Sequence, residues 1–207
     1  MTSKEIFNKV DEILLKSNKP SKDIRRLIEN GEFDKEPFEM IKNLEKVEQN
    51  LKYHPEGNVL NHILLVVDKA SEVKKLSENE RVFMWSALLH DLGKLTTTKI
   101  RRGKITSYNH DIEGEKIGKN FLDMVSNDKK FNESVSKMIR YHMQPLFYDK
   151  NLPFFNPQNM INDVKYKEIA LLSFCDRLGR GNLSLETINN EKERIEKFKQ
   201  YFKTYKG

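Results

Sequence analysis

Residues 131–142 read FNESVSKMIRYH, and residues 168–179 read EIALLSFCDRLG. In the first stretch His142 stands seven residues after Val135 and three after Ile139, so it continues the apolar stripe of a helix. In the second, Asp176 stands seven after Ile169 and four after Leu172, again on the stripe that faces a core. The same phase recurs upstream. His90 follows Phe83 by seven and Ala87 by three, and His62 lies within about 60° of Val59 and 40° of Val66 at 100° per residue. Helices that turn histidines and an acid toward their buried sides must meet in the interior.

Working outward from these stretches, the chain reads as helical almost throughout. Ser3 caps a helix through about Asn18 that buries Ile6, Val10, Ile13 and Leu14, with Pro20 ending it. A second helix runs from Ser21 to Asn30, where Gly31 supplies a stop. Pro37 opens a third, with Phe38, Ile41, Leu44 and Val47 as its stripe. After the break at Lys52–Gly57, a long helix spans Asn58 to Leu76. Ser77-Glu78-Asn79-Glu80 has the capping-box pattern and starts the next, which ends near His90. Further helices are expected over 111–125, 131–143, 164–178 and 184–204. Between Thr96 and Tyr108, β-branched residues flank Arg101-Arg102-Gly103, which predicts a small hairpin. The expected fold class is all-α with one β-ribbon.

The composition narrows the function classes. The single cysteine among 207 residues excludes an internal disulfide and a Cys-rich zinc module. No apolar run approaches the roughly 18–20 residues of a membrane span. The opening MTSKEIFNKVDEILLK carries acids within its apolar pattern, unlike a secretion signal. A soluble, cytoplasmic protein with no membrane partner is therefore expected. The net charge of +6 is compatible with phosphate-bearing partners, although scattered lysines on a solvated surface explain it equally well.

Four histidines, His62, His90, His110 and His142, accompany two acids, Asp91 and Asp176, and each of these positions except the adjacent His90-Asp91 pair falls on a separate element. Taken singly, each has an ordinary explanation. An inward histidine is usually a hydrogen-bonded core residue, a lone Asp176 pairs with an arginine, and Cys175 fills space. Together they ask for more. An ionised carboxylate in a core costs several kcal/mol unless paired or bound to metal, and several neutral imidazoles facing the same point make a divalent-metal site the economical explanation. Imidazole and carboxylate without thiolate suit Mn, Fe, Co, Ni or Mg, and Zn less exclusively. Six ligands exceed what one catalytic metal takes with positions left open, whereas two metals sharing a carboxylate use them all.

The strings YHPEGNVLNHILLVVDKA, SALLHDLGK, SYNHDIEGEKIG, IRYH and CDRLGRGN together resemble the HD-domain metal-dependent phosphohydrolases, and are most similar to the HD region of bacterial tRNA nucleotidyltransferases. The likeness covers about residues 51–182. It implies an HD-domain helical bundle over 51–207, preceded by an N-terminal helical extension, 1–50, that has no counterpart in the family. It also implies a first metal held by His62, His90, Asp91 and Asp176, and a second by His110 and His142, with Asp91 bridging. Lys94 matches a family lysine that meets a substrate phosphate, and His54 and Glu56 of the HPEG string fall in a motif expected near the pocket mouth. There are departures. No Gly-Ser or Gly-Gly turn with paired acids marks a nucleotidyltransferase head, so CCA addition is not expected. The HHE and GYP signatures of the cyclic-di-GMP-degrading subgroup are missing too.

The chemistry so implied is hydrolysis of a phosphomonoester or phosphodiester on a nucleotide or RNA end, with one or two divalent cations as cofactors. Asp91 and Lys94 are the expected catalytic residues. His54, Glu56, Lys94 and Arg177 are expected at the substrate; Arg101, Arg102 and Lys104 of the hairpin are the alternative helpers, and for the two arginines a solvent-exposed position is the better reading. Two other readings share the ligand set: a di-iron oxygenase, and a non-catalytic nucleotide- or RNA-binding module braced by metal. Residues 1–50 are left as a lid, a homodimer contact or extra core.

Overall fold

The computed structural model describes residues 1–181 and 183–205. Its elements are helices α1 (Ser3–Lys16), α2 (Pro20–Glu29), α3 (Glu39–Asn43), α4 (Val59–Val73), α5 (Glu80–Leu89) and α6 (Lys94–Thr97), then the strands β1 (Lys99–Arg101) and β2 (Lys104–Thr106). After them come α7 (His110–Val125), α8 (Lys129–Tyr141), α9 (Gln144–Asp149), α10 (Pro157–Asp163), α11 (Tyr166–Leu178) and α12 (Leu185–Thr204). The fold is all-α, and among the described residues its β structure is an isolated bridge between Glu48 and Asn58 and one antiparallel hairpin pairing Lys99 with Thr106 and Arg101 with Lys104, as the residues around Gly103 predict.

Helix α5 is the axis of the bundle. Every side chain from Phe83 to Leu89 is buried, because α1, α4, α8 and α11 pack around it. A helix apolar on all sides is stable only in such a central place. The N-terminal segment joins the same core: Ile6, Val10, Leu14 and Ile24 are fully buried. Phe7 stacks on Trp85 with ring centroids 4.8 Å apart, and Asp11 accepts hydrogen bonds from Trp85 Nε1 (2.7 Å) and Arg81 Nε (2.8 Å).

The structure corrects several sequence expectations. The helix expected from Ser77 begins two residues later. Asn79 is its cap, accepting from the Val82 amide, while Ser77 donates to Glu168 on α11. A tight 3₁₀ turn over Lys74–Leu76 leaves Ser77 extended, which turns its hydroxyl across to the neighbouring helix. The third stripe is broken as well. Helix α3 gives way to a 3₁₀ turn over Leu44–Lys46, and Val47 is extended, its carbonyl accepting from the Val59 amide. Helices α6, α9 and α10 were not anticipated. In α9 and α10, Pro145 and Pro157 occupy the first turn, where proline starts a helix as readily as it ends one.

Candidate metal centre

The residues singled out from the sequence sit at helix ends. His62 lies in the first turn of α4, His90 caps the C-terminus of α5 with Asp91 following, His110 opens α7, His142 caps α8, and Asp176 is in the last turn of α11. Helix ends are where a side chain can leave its own helix and meet others. Two glycines permit the approach. A Cβ on Gly93 would lie 2.0 Å from the carbonyl of His110, and one on Gly179 would lie 2.4 Å from Val66 Cγ2. Without those close contacts α7 and α11 would stand off from the centre.

The four imidazoles share one orientation device. His90 Nδ1 donates to the Ala87 carbonyl (2.9 Å), His110 Nδ1 to Ser107 (2.7 Å), and His142 Nδ1 to Ile139 (2.7 Å). His62 Nδ1 faces both the Gly179 carbonyl (3.0 Å) and Glu56 Oε1 (2.9 Å). Acceptors at Nδ1 fix the tautomer, so in the neutral rings each Nε2 carries a bare lone pair. All four Nε2 atoms turn inward.

Asp91 is where they meet. Its Oδ2 lies 3.4 Å from His90 Nε2 and 3.8 Å from His62 Nε2, while its Oδ1 lies 3.5 Å from His110 Nε2 and 4.0 Å from His142 Nε2. One carboxylate thus presents one oxygen to each pair of imidazoles. His62, His90 and Asp91 form one group able to hold an ion, and Asp91, His110 and His142 form another. Asp176 Oδ1 adds to the first pair, 2.9 Å from His62 Nε2 and 3.9 Å from His90 Nε2.

Divalent cations fit this donor set. His110 Nε2 and His142 Nε2 stand 3.2 Å apart with both Nδ1 protons already committed to carbonyls, an arrangement of facing lone pairs that a shared cation relieves. Among the described residues, the buried His90 Nε2 and Asp91 Oδ2 have no hydrogen-bond partner. Lys94 Nζ is only 2.7 Å from Asp91 Oδ2, a charge contact poorly directed for a hydrogen bond. Buried polar atoms left in this way are costly unless something completes them.

Protonation follows the same layout. Burial pushes His142 down to about 3, helped by the neighbouring His110 and His90, and burial also lowers His110 against the pull of Asp91. Burial would lower His62 too, but its hydrogen bonds to Asp176 and Glu56 prevail and raise it to about 9. Burial works to raise both aspartates. Lys94 and His90 around Asp91, and His62 against Asp176, hold them well below the usual carboxylate range.

Beside the centre opens a cavity of about 500 Å³, lined by Asp91, His110, His142 and Asp176 together with His54, Lys94 and Arg177. Lys94 also donates to Gln49 Oε1 (2.8 Å). Glu56 and the hairpin cations do not line this cavity. Glu56 is buried behind His62, where its Oε1 accepts from His54 and His62, which hold its carboxyl down to about 2 against the opposing effect of burial. Its carboxylate thus faces the Nδ1 side of His62 and does not line the cavity. Arg101, Arg102 and Lys104 are exposed on the hairpin, whose contribution to the wall is Ile105, Thr106 and Ser107. The sequence reading missed Gln49, Tyr53, Lys150, Arg180 and Arg194, which also line the cavity. Tyr53 opens the string YHPEGNVLNHILLVVDKA and Arg180 lies in CDRLGRGN, whose last residue, Asn182, is outside the described residues.

Comparison with known proteins agrees with this geometry. The HD domain family model matches residues 59–180, more than half of the chain. The multifunctional CCA proteins of Actinobacillus pleuropneumoniae serotype 5b (strain L20) and serotype 7 (strain AP76) are each 29% identical over 162 residues, covering 76% of this chain. The chain spans 38% of the length of those relatives. No helix among the described residues is long and apolar enough to cross a membrane. The buried His/Asp groups and the matched segment coincide, and the chain belongs to the HD-domain family of metal-dependent phosphohydrolases.

Proposed function

We propose that the protein hydrolyses a phosphomonoester or phosphodiester on a nucleotide or an RNA end, using two divalent cations. The observation that carries this reading is the placement of Asp91, one oxygen toward the His62–His90 pair and the other toward His110–His142. The ligands would be His62, His90, Asp91 and Asp176 for one cation, and Asp91, His110 and His142 for the other. Cations held there would supply Lewis acidity toward phosphate oxygens and lower the pKa of water from near 16 to about 7. The likeness to multifunctional CCA proteins favours a nucleotide or RNA-end substrate.

The chain's own groups then have defined tasks. Asp91 orients the attacking water; the water oxygen bonds to phosphorus as the bond to the leaving oxygen breaks, the water's proton passes to solvent and the leaving oxygen takes one from solvent. Lys94, mostly buried with its ammonium at the cavity wall, offsets charge on the phosphate. His54, half-buried beside Glu56, closes the side of the cavity nearest α4.

The test is a panel of phosphomonoesters and phosphodiesters, including 2′,3′-cyclic nucleotides, assayed with protein loaded with Mn, Ni or Co. Hydrolysis that falls at least ~100-fold in Asp91→Ala is expected. Turnover no greater than that of the variant on every substrate, or oxygen uptake by iron-loaded protein in its place, rejects the proposal.

A further inference from the structure

The cavity has a second charged wall, away from Asp91. Arg177 follows Asp176 directly on α11, so the two side chains leave the helix about 100° apart. Its guanidinium turns to α12, where Nη1 donates to Glu191 Oε2 at 2.6 Å. Arg194 donates to the other oxygen of Glu191 at 2.7 Å, and its Nε lies 3.6 Å from Asp149 Oδ1. Arg180 and Lys150 complete this wall.

Two features mark the wall as unfinished. The Arg177 side chain is 4% exposed, yet its Nη2 has no hydrogen-bond partner among the described residues, and neither has the buried Nε of Arg180. A buried guanidinium nitrogen without an acceptor is a costly vacancy in a folded core. The charges do not balance either. Arg177, Arg194 and Lys150 share Glu191 and Asp149, two acids for three cations, and Arg180, which lines the same cavity, has no ion pair among the described residues. Arg180 also acts on Asp176, which belongs to the proposed metal ligands.

We propose that Arg177 and Arg180 form a second phosphate subsite, so that the substrate carries a phosphoryl group besides the one that reacts. This rests on the hydrolase reading and narrows it to doubly phosphorylated nucleotides or oligonucleotide ends. A planar guanidinium presents paired donors that match phosphate oxygens, and Lys94 beside Asp91 already serves the reacting group. The second phosphoryl group comes either from a 5′-phosphate on a mononucleotide or from the internucleotide linkage of an RNA end.

Three ligands separate these sources: a nucleoside 2′,3′-cyclic phosphate, the same compound with a 5′-phosphate, and a dinucleotide ending in a 2′,3′-cyclic phosphate. Dissociation constants by calorimetry and kcat/KM are measured for each with metal-loaded protein. One or both of the doubly charged ligands should be favoured by roughly 10–100-fold, the range of a charged hydrogen bond. Whichever is favoured identifies the source. In Arg180→Gln that ratio should collapse to within about threefold of unity. Arg177→Gln alone leaves the buried Glu191 Oε2 without its donor, so the double variant Arg177→Gln/Glu191→Gln is the companion, with the same collapse expected. Wild-type protein that binds all three ligands alike, or a ratio unchanged in both variants, overturns the subsite. An arginine-dependent preference in binding with no turnover of any ligand upholds the subsite and rejects the hydrolase reading instead.

Discussion

His62 Nε2 lies 2.9 Å from Asp176 Oδ1, and its Nδ1 lies 2.9 Å from Glu56 Oε1, so both ring nitrogens face carboxylates. That pairing keeps the metal-free imidazole protonated up to about 9. A cation bound at Nε2 has to displace this proton. His110 and His142, both lowered, have none to give at neutral pH. Manganese binding at pH 7.5 should therefore release about one proton from the protein, and the affinity should climb up to about tenfold per pH unit between roughly 6.5 and 9. Calorimetry in two buffers of different ionisation enthalpy reads the proton count directly; a count of zero contradicts the assignment. Glu56→Gln removes the carboxylate behind Nδ1. The proton released at pH 7.5 should then diminish, and a loss of orientation should weaken metal binding about 10–100-fold. If Glu56 met substrate instead, the variant would raise KM and leave metal affinity alone.

At the scale of elements, the centre depends on how closely α11 and α4 approach. Gly179 ends α11 against Val66 and supplies the carbonyl that His62 Nδ1 faces at 3.0 Å. In Gly179→Ala the new methyl group would meet Val66 Cγ2 at 2.4 Å and the Val66 amide nitrogen at 2.9 Å, so the helix end must shift. A loss of about 1–3 kcal/mol in urea unfolding is expected, together with weaker manganese binding as the His62 acceptor moves. Unchanged stability would mean that this contact relaxes freely. The helices that carry the proposed ligands were legible in the sequence because each buries a stripe at a spacing of three and four, and the polar residue on that stripe is the one that reaches the centre. Helix α5 was legible from the same stripe of Phe83, Ala87 and His90, but its burial on every side from Phe83 to Leu89 was not. The short helices α6 and α9 were not, since four to six residues carry no periodicity and Pro145 reads equally as a start or a stop. Gln49 and Arg194 reach the cavity only through tertiary packing, and no local pattern announces that. Glu56 was found by motif, but that its carboxylate faces His62 Nδ1 was not legible, because a sequence does not show which side of a histidine an acid will occupy.

For the molecule as a whole, the buried centre ties stability to pH and to metal. His142 has its folded pKa near 3 against about 6.5 in an unfolded chain, so the unfolded state takes up the proton first as the solution is acidified. Stability from this group is complete above 6.5 and is lost as pH falls toward 3. Glu56, Asp91 and Asp176 act in the same sense at lower pH, since their carboxyls are held below the ordinary range when folded and stability is lost as they protonate. His62 works the other way: its contribution is complete below 6.5 and disappears as pH rises to about 9. The metal-free protein should thus show its highest urea midpoint near neutrality, with a steep acid limb and a shallower alkaline one. A cation that binds only the folded state at about 100 times its dissociation constant adds about 2.7 kcal/mol, a rise of roughly 5–10 °C in Tm for a chain of this size. Because binding displaces the His62 proton, that rise should be larger at pH 8.5 than at pH 6.5, measured at one fixed manganese concentration and reversed by a chelator. The same rise at both pH values would place manganese away from His62, and with it would fall the ligand set built around Asp91.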